Sequence, residues 1–218
     1  MKKFEMSKEI KELINEIDVS ESNYEKASNR YKAIANYIKE SDLAEYNPDI
    51  YLQGSIKLGT AIKPLTQDGA YDIDIVCNMT KKRRNHQSQR ELKDELGEVV
   101  KNYSLKHNME NFPKESNRCW TLNYVDESNF HIDILPAVPW NNTDDGNIAI
   151  SDKRSDNYDD ITFDWEVSNP KGYSDWFKKQ SDFQTIKESY AKRFYAKIEE
   201  IPAVSYTHLR AHETGRNL

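Results

Sequence analysis

Three aspartates and a Gly-Ser step give the chain its chemistry. In Tyr71-Asp72-Ile73-Asp74-Ile75-Val76-Cys77, Asp72 and Asp74 stand two apart in a run of strand character. Residues i and i+2 of a strand share a face, so the two carboxylates lie side by side while Ile73 and Ile75 face a core. Like charges so close repel unless a cation or a donor compensates them, which makes a hard divalent cation their natural partner. Phe130-His131-Ile132-Asp133-Ile134-Leu135 repeats the alternation, so Asp133 can join the pair from a neighbouring strand. Three carboxylates on adjacent strands can hold two magnesium ions across the attacking and leaving oxygens of an in-line phosphoryl or nucleotidyl displacement. Upstream, Gln53-Gly54-Ser55 offers a glycine that lets a phosphate approach the backbone, and a hydroxyl and N–H groups to hold it. Taken singly, each pattern is also met as a solvated strand edge or a plain turn; their order along the chain sets them apart.

These residues need a scaffold. Ile10, Leu13, Ile14 and Ile17, then Tyr24, Ala27, Tyr31, Ile34, Ala35 and Ile38, recur at helical spacing and predict two opening helices. Ile50-Tyr51-Leu52 reads as a short strand, and Ile56, Leu58 and Ile62 as a helical turn stopped by Pro64. A helix is predicted from Gln87 to about His107, followed by strands over 118–125 and 130–138 that pair antiparallel across Asp126-Glu127-Ser128-Asn129. A polar loop over 141–160, interrupted by Ile148-Ala149-Ile150, precedes a further strand over 161–167. Ser168-Asn169-Pro170 starts a long helix whose pattern runs through Tyr173, Trp176, Phe177, Phe183, Ile186, Tyr190, Phe194 and Ile198 to Pro202.

The 218 residues suffice for one large domain or two small ones. At 37% hydrophobic and 31% charged, the chain is more polar than the usual globular value of about 45–50% apolar. Its 11% aromatic content, placed within patterned segments, excludes overall disorder. A net charge of -6 argues against a duplex nucleic-acid partner, so any nucleotide site must be local. Cys77 and Cys119 read as inert thiols in a reducing compartment. No apolar run reaches membrane-spanning length and none follows the basic N-terminus, so a soluble, cytoplasmic protein without a membrane partner is expected. From Val204 to Leu218 the periodicity is lost, and the run Val204-Ser205-Tyr206-Thr207-His208-Leu209-Arg210-Ala211-His212-Glu213-Thr214 reads as one frame of a transposase-type sequencing adapter. The expected organisation is a catalytic domain over 1–203, incomplete at its C-terminal side, and a non-native tail over 204–218, in which His208 and His212 carry no meaning.

Gly54-Ser55, Asp72-Ile73-Asp74 and Asp133 together resemble the signature of the DNA polymerase beta-like nucleotidyltransferases. More finely, Gln53-Gly54-Ser55-Ile56-Lys57-Leu58-Gly59-Thr60-Ala61-Ile62, Tyr71 to Val76, His131-Ile132-Asp133-Ile134-Leu135-Pro136-Ala137 and Ser168 to Tyr173 with Trp176-Phe177 are similar to the bacterial cGAS/DncV-like nucleotidyltransferases, the CD-NTases or SMODS proteins. The similarity spans about residues 20 to 203. It implies an α+β fold: a polymerase beta-like core with a mixed or antiparallel sheet flanked by helices, N-terminal helices and a long helix near the C-terminus. It implies a synthase of cyclic di- or oligonucleotide second messengers from nucleoside triphosphates such as ATP, acting in bacterial antiphage defence, with two Mg2+ or Mn2+ ions and a regulatory protein partner. Asp72, Asp74 and Asp133 would be catalytic and ligate metal, with Asp133 completing the ion nearer the attacking hydroxyl. Gln53, Gly54 and Ser55 would bind the nucleotide. Family members carry a helical C-terminal domain that closes the nucleotide cleft, expected here beyond Ala203.

Other features have plainer readings. Lys81-Lys82-Arg83-Arg84 reads as a solvated loop rather than a phosphate contact, and Lys57 and Lys63 as surface lysines. His131 reads as a hydrogen-bonded structural histidine, and Tyr173, Trp176 and Phe177 as core packing. Two other functions stay open: nucleotidyl transfer to a small molecule, a protein or an RNA end, and a nucleotide- or RNA-binding module without chemistry.

Overall fold

The computed structural model describes residues 8–66, 69–125, 129–141 and 145–180. The expected helical pattern beyond Gln180, the domain boundary at 203 and the tail over 204–218 lie outside the described residues. Two helices open the fold, α1 (Lys8–Ile17) and α2 (Glu21–Glu40). Ser20 starts α2 by accepting from the Asn23 N–H, which satisfies one of the orphan donors of its first turn. β1 (Pro48–Gln53) and the short α3 (Gly54–Leu58) follow, then β2 (Tyr71–Met79). The α3 turn stops at Gly59, in the left-handed region at φ 67°, so Ile62 falls outside the helix and is exposed. α4 (Gln89–Lys106) begins in a capping box, with Ser88 and Glu91 each bonding the other's backbone N–H. The remaining elements are β3 (Lys114–Glu115), β4 (Trp120–Tyr124), β5 (Phe130–Pro139), β6 (Ile148–Ile150), β7 (Glu166–Ser168) and α5 (Pro170–Gln180).

The strands form one mixed sheet in the order β1-β2-β5-β4-β3, with β6 and β7 continuing from β5. β2 and β5 are parallel and the other pairs antiparallel. Alternation sends Ile73, Ile75 and Cys77 of β2 and Phe130, Ile132 and Ile134 of β5 into one core, with Ile50 and Leu52 of β1 and Trp120 and Leu122 of β4. The apolar stripes of α2 (Ala27, Tyr31, Ile34, Ile38) and α4 (Leu92, Leu96, Val100, Tyr103) cover that face. On the other face, Val76, Leu135, Ala137, Ile148 and Ile150 make a small second cluster with Tyr51. That cluster occupies the later part of β2 and β5; their earlier part is left polar.

Three expectations need correction. The strand expected over 161–167 is confined to Glu166–Ser168. Before it the chain turns: the Thr162 hydroxyl accepts from the Asp164 N–H, and the Trp165 indole donates to the Thr162 carbonyl. A side chain that bonds its neighbours' backbone competes with the ladder, and Ile161 and Phe163 are left exposed. Tyr173 and Trp176 are exposed rather than core; of α5's described residues only Ser174 is fully buried. Lys82, Arg83 and Arg84 of the basic run are also held rather than solvated, while Lys81 is exposed. Lys82 bonds Gln87 and Glu95 and lies over the Tyr46 ring, Arg83 donates to the Thr80 and Lys82 carbonyls, and Arg84 stacks 3.6 Å from the Trp140 centroid. Both cysteines are free, Cys77 buried and Cys119 partly so. No helix among the described residues is long and apolar enough to cross a membrane.

Candidate functional site

Strand register lines up the polar residues of the open face. Gln53 pairs with Asp74, Asp74 with Asp133, and Asp133 with Thr121, so four strands contribute one residue each to a single row. Neighbouring strands lie about 5 Å apart, which makes Asp74 and Asp133 direct neighbours. A second row, one pleat away, runs from Asp72 to His131 to Asn123. The three aspartates singled out from the sequence are thus brought onto one face, two in one row and one in the next.

Electrostatics single out Asp74. Partial burial first, and then the charges of Asp133 and Asp72, push its pKa from the ordinary 3.8 up to about 6. The structure holds a carboxylate where its charged form is disfavoured, which is the condition that a cation relieves. Asp133 is half-buried and its Oδ1 accepts from the Thr121 hydroxyl at 2.5 Å. Asp72 is more open, with a side chain 71% exposed, and its Oδ1 lies 3.4 Å from His131 Nδ1.

Gly54 abuts this cluster. Its φ is 65°, a conformation that L side chains rarely adopt, and a Cβ placed on it would stand 2.8 Å from Asp74 Cγ and closer still to the carboxylate oxygen. Only glycine lets β1 turn into α3 this close to Asp74. The Gln53 side chain makes no cap on α3, whose first N–H groups start beside the row. Ser55 lines a cavity of about 260 Å³ together with Asp72, Tyr24, Tyr71 and Phe130. All three residues of Gln53-Gly54-Ser55 therefore border the aspartates.

Lys63 is engaged away from the row. The Lys63 ammonium donates to the Glu16 carbonyl and its N–H to that of Ile17, tying the loop after α3 to α1. His131 is half-exposed, with its Nδ1 3.4 Å from Asp72 Oδ1. Sequence reading missed Thr121, although the antiparallel pairing of its strand with that of Asp133 contained the signal.

Oxygen donors on neighbouring strands are what a hard divalent cation takes, so the residues fit one. Among the described residues no set of three or more His, Cys, Asp or Glu is close enough to hold an ion alone. The aspartates form an open row rather than a cage. Magnesium is commonly held by one or two carboxylates, with substrate phosphates and water supplying the rest, and an open row suits that division.

The family described as Second Messenger Oligonucleotide or Dinucleotide Synthetase domain matches residues 4–181. A c-di-GMP synthase of Roseivirga ehrenbergii is 26% identical over 164 residues, which are 73% of this chain and 39% of that protein. Among solved structures, the CD-NTase CdnG of Bradyrhizobium diazoefficiens in complex with GTP aligns with a TM-score of 0.59 at 22% identity, over 76% of this chain and 44% of its own. Escherichia coli DncV, in a 3′-deoxy GTP bound form, aligns with a TM-score of 0.58 at 16% identity, over 77% and 58% respectively. Escherichia coli CdnC, solved in a HORMA complex, aligns with a TM-score of 0.55 at 14% identity, over 86% and 54%. The fold is the α+β nucleotidyltransferase fold of these structures. The chain spans less than half the length of the synthase and of CdnG.

Proposed function

Since the chain belongs to the family of second messenger oligonucleotide or dinucleotide synthetase domains, we propose that it carries the catalytic face of a nucleotidyltransferase that joins nucleoside triphosphates into cyclic di- or oligonucleotides. The observation that carries this reading is the in-register row Gln53, Asp74, Asp133, with Gly54 pressed against Asp74.

Asp72, Asp74 and Asp133 would hold the two Mg2+ or Mn2+ ions, Asp72 and Asp74 contributing to both and Asp133 to one. When bound, the ions neutralise the phosphates and stabilise the attacking and departing oxygens of the displacement. The chain's own groups position the rest. Gly54 and Ser55 hold the donor triphosphate through backbone N–H groups and the Ser55 hydroxyl, with Gln53 beside them. Asp133 accepts the proton of the acceptor's ribose hydroxyl as that oxygen bonds to the α-phosphorus of the donor. The bond from that phosphorus to the bridging oxygen breaks, and pyrophosphate leaves with the electron pair. A second round within the linear product closes the ring. Catalysis of this kind is mostly positioning and electrostatics, which a rigid strand pair delivers.

The same reading carries a cytoplasmic setting, a role in antiphage defence and a regulatory protein partner, the last supported by the HORMA complex of CdnC. Incubating the protein with radiolabelled triphosphates and Mg2+ tests the reaction. Phosphatase-resistant, cyclic products are expected. Label transferred to a separate small molecule, protein or RNA would instead identify another transfer on the same fold, and metal-independent binding without turnover would leave only a binding module.

A further inference from the structure

We infer that Thr121 is a positioning residue: its hydroxyl orients the Asp133 carboxylate for a divalent cation. The inference rests on the metal-dependent reading above. Thr121 lies opposite Asp133 across the antiparallel β4/β5 pair, on the side away from Asp74. A carboxylate on a strand can swing between its neighbours, and Asp133 is repelled by Asp74 on one side. The Thr121 hydroxyl takes up Asp133 Oδ1 on the other, at 2.5 Å. With Oδ1 held toward β4, Oδ2 is the oxygen left for an ion shared with β2.

Proton bookkeeping gives the network a direction. An ionised carboxylate only accepts, so Thr121 spends its single hydroxyl proton on Asp133. Ser116 Oγ lies 3.4 Å from Thr121 Oγ1, and with the Thr121 proton on Asp133 it is Ser116 that donates in this long contact. Groups that hold a ligand's second oxygen fix the ligand before the ion arrives, and their loss typically weakens metal binding 10–100-fold.

The test is Mn2+ binding by the whole 218-residue chain, followed by the electron paramagnetic resonance signal of the free ion. Thr121→Val keeps the shape and strand preference of threonine and removes only the hydroxyl. It is expected to weaken Mn2+ binding by about tenfold, with Thr121→Ser restoring it to within about twofold. The thermal midpoint of the metal-free Val variant should stay near that of the wild type, which separates positioning from a folding role. If Thr121→Val does not fold, Thr121→Ala, which also lacks the hydroxyl, replaces it. Unchanged Mn2+ affinity in the hydroxyl-free variant, or failure of serine to restore it, overturns the role of Thr121 and leaves the metal reading intact. A wild-type chain that binds no Mn2+ overturns both.

Discussion

Gly54, the first residue of α3, abuts Asp74 of β2, the backbone of one against the carboxyl of the other. An ideal Cβ at Gly54 would lie 2.8 Å from Asp74 Cγ, and the residue's φ of 65° adds a backbone penalty for any side chain. Gly54→Ala is therefore expected to displace Asp74 and lower stability by about 1–3 kcal/mol, the range for strained backbone positions. Turnover should fall further than stability accounts for. Urea denaturation beside a rate measurement on the folded fraction checks both; a variant with wild-type turnover would mean that the contact is dispensable.

The raised pKa of Asp74 makes metal-free stability depend on pH with a definite sign. Its native value of about 6 exceeds the ordinary 3.8, so between those values the native state binds more protons than the unfolded one. Stability from this group is full below about pH 4, falls as pH rises to 6 and is flat beyond, a loss of up to about 3 kcal/mol for a shift of about two units. Asp74→Asn should abolish that slope and stabilise the metal-free protein at pH 7. Added Mg2+ should stabilise the wild type more at pH 7 than at pH 5, where protons compete for the same oxygens. Asp152 does not blur the window: held well below the ordinary range by Arg154 and Arg118, it loses its contribution only under more acid conditions. Thermal midpoints from pH 4 to 8 decide the matter.

Removing either outer aspartate should separate catalysis from folding. Asp72 and Asp133 sit on the open face, away from the apolar core, so Asp72→Ala and Asp133→Ala should fold. Both should lose Mg2+-dependent turnover by about a hundredfold or more, since bound ions supply several kcal/mol of transition-state stabilisation. Retention of wild-type rates by either would remove that residue from the catalytic set.

The helix α4 carries a glycine for packing rather than for a turn. A Cβ on Gly97 would overlap the Trp120 ring, whose indole donates to the Lys93 carbonyl at 2.9 Å. Alanine gains about 1 kcal/mol of helix propensity over glycine. Overpacking costs about 1–3 kcal/mol, and the clash is with a buried ring flanked by backbone, so the cost wins. Gly97→Ala is expected to destabilise the fold in a urea titration.

Arg84 tests the reading of the basic run. Its guanidinium is stacked on Trp140 and lies 5.4 Å from the Phe163 ring centroid. Arg84→Ala should cost about 1–2 kcal/mol of stability, a desolvated cation–π contact, and leave nucleotide affinity unchanged. A drop in affinity without a drop in stability would return the run to the phosphate site.

Most of the site was legible because strand alternation fixes it. Asp72, Asp74 and Asp133 are forced to the face opposite Ile73, Ile75, Ile132 and Ile134, whatever the rest of the fold. Local spacing could not give the register that sets Asp74 beside Asp133 or Thr121 beyond it, nor the parallel sense of β2 and β5, because these depend on pairings between distant segments. The same limit explains the errors. Lys82 and Arg84 look solvated in the basic run until their partners, Gln87, Glu95 and Trp140, are brought in from outside it. The aromatic spacing of α5 predicts a buried stripe, but the spacing does not say which surface it meets. The turn at Thr162 was hidden because its side chain outcompetes a strand ladder that the residue types alone favour.

The parallel pairing of β2 with β5 also has a kinetic side. The segments that carry Asp74 and Asp133 are separated in the chain by all of α4, β3 and β4. Parallel pairing across such an excursion must close a long loop before its contacts form, and such contacts are slow to assemble. The repulsion between the aspartates is thus absent from early collapsed chains and is met only when the two strands dock. A divalent cation that binds the docked pair holds the native state by mass action and has little to bind before then. Its expected kinetic signature is slower unfolding with an unchanged folding rate, so that metal in the growth or refolding medium preserves molecules that have already folded.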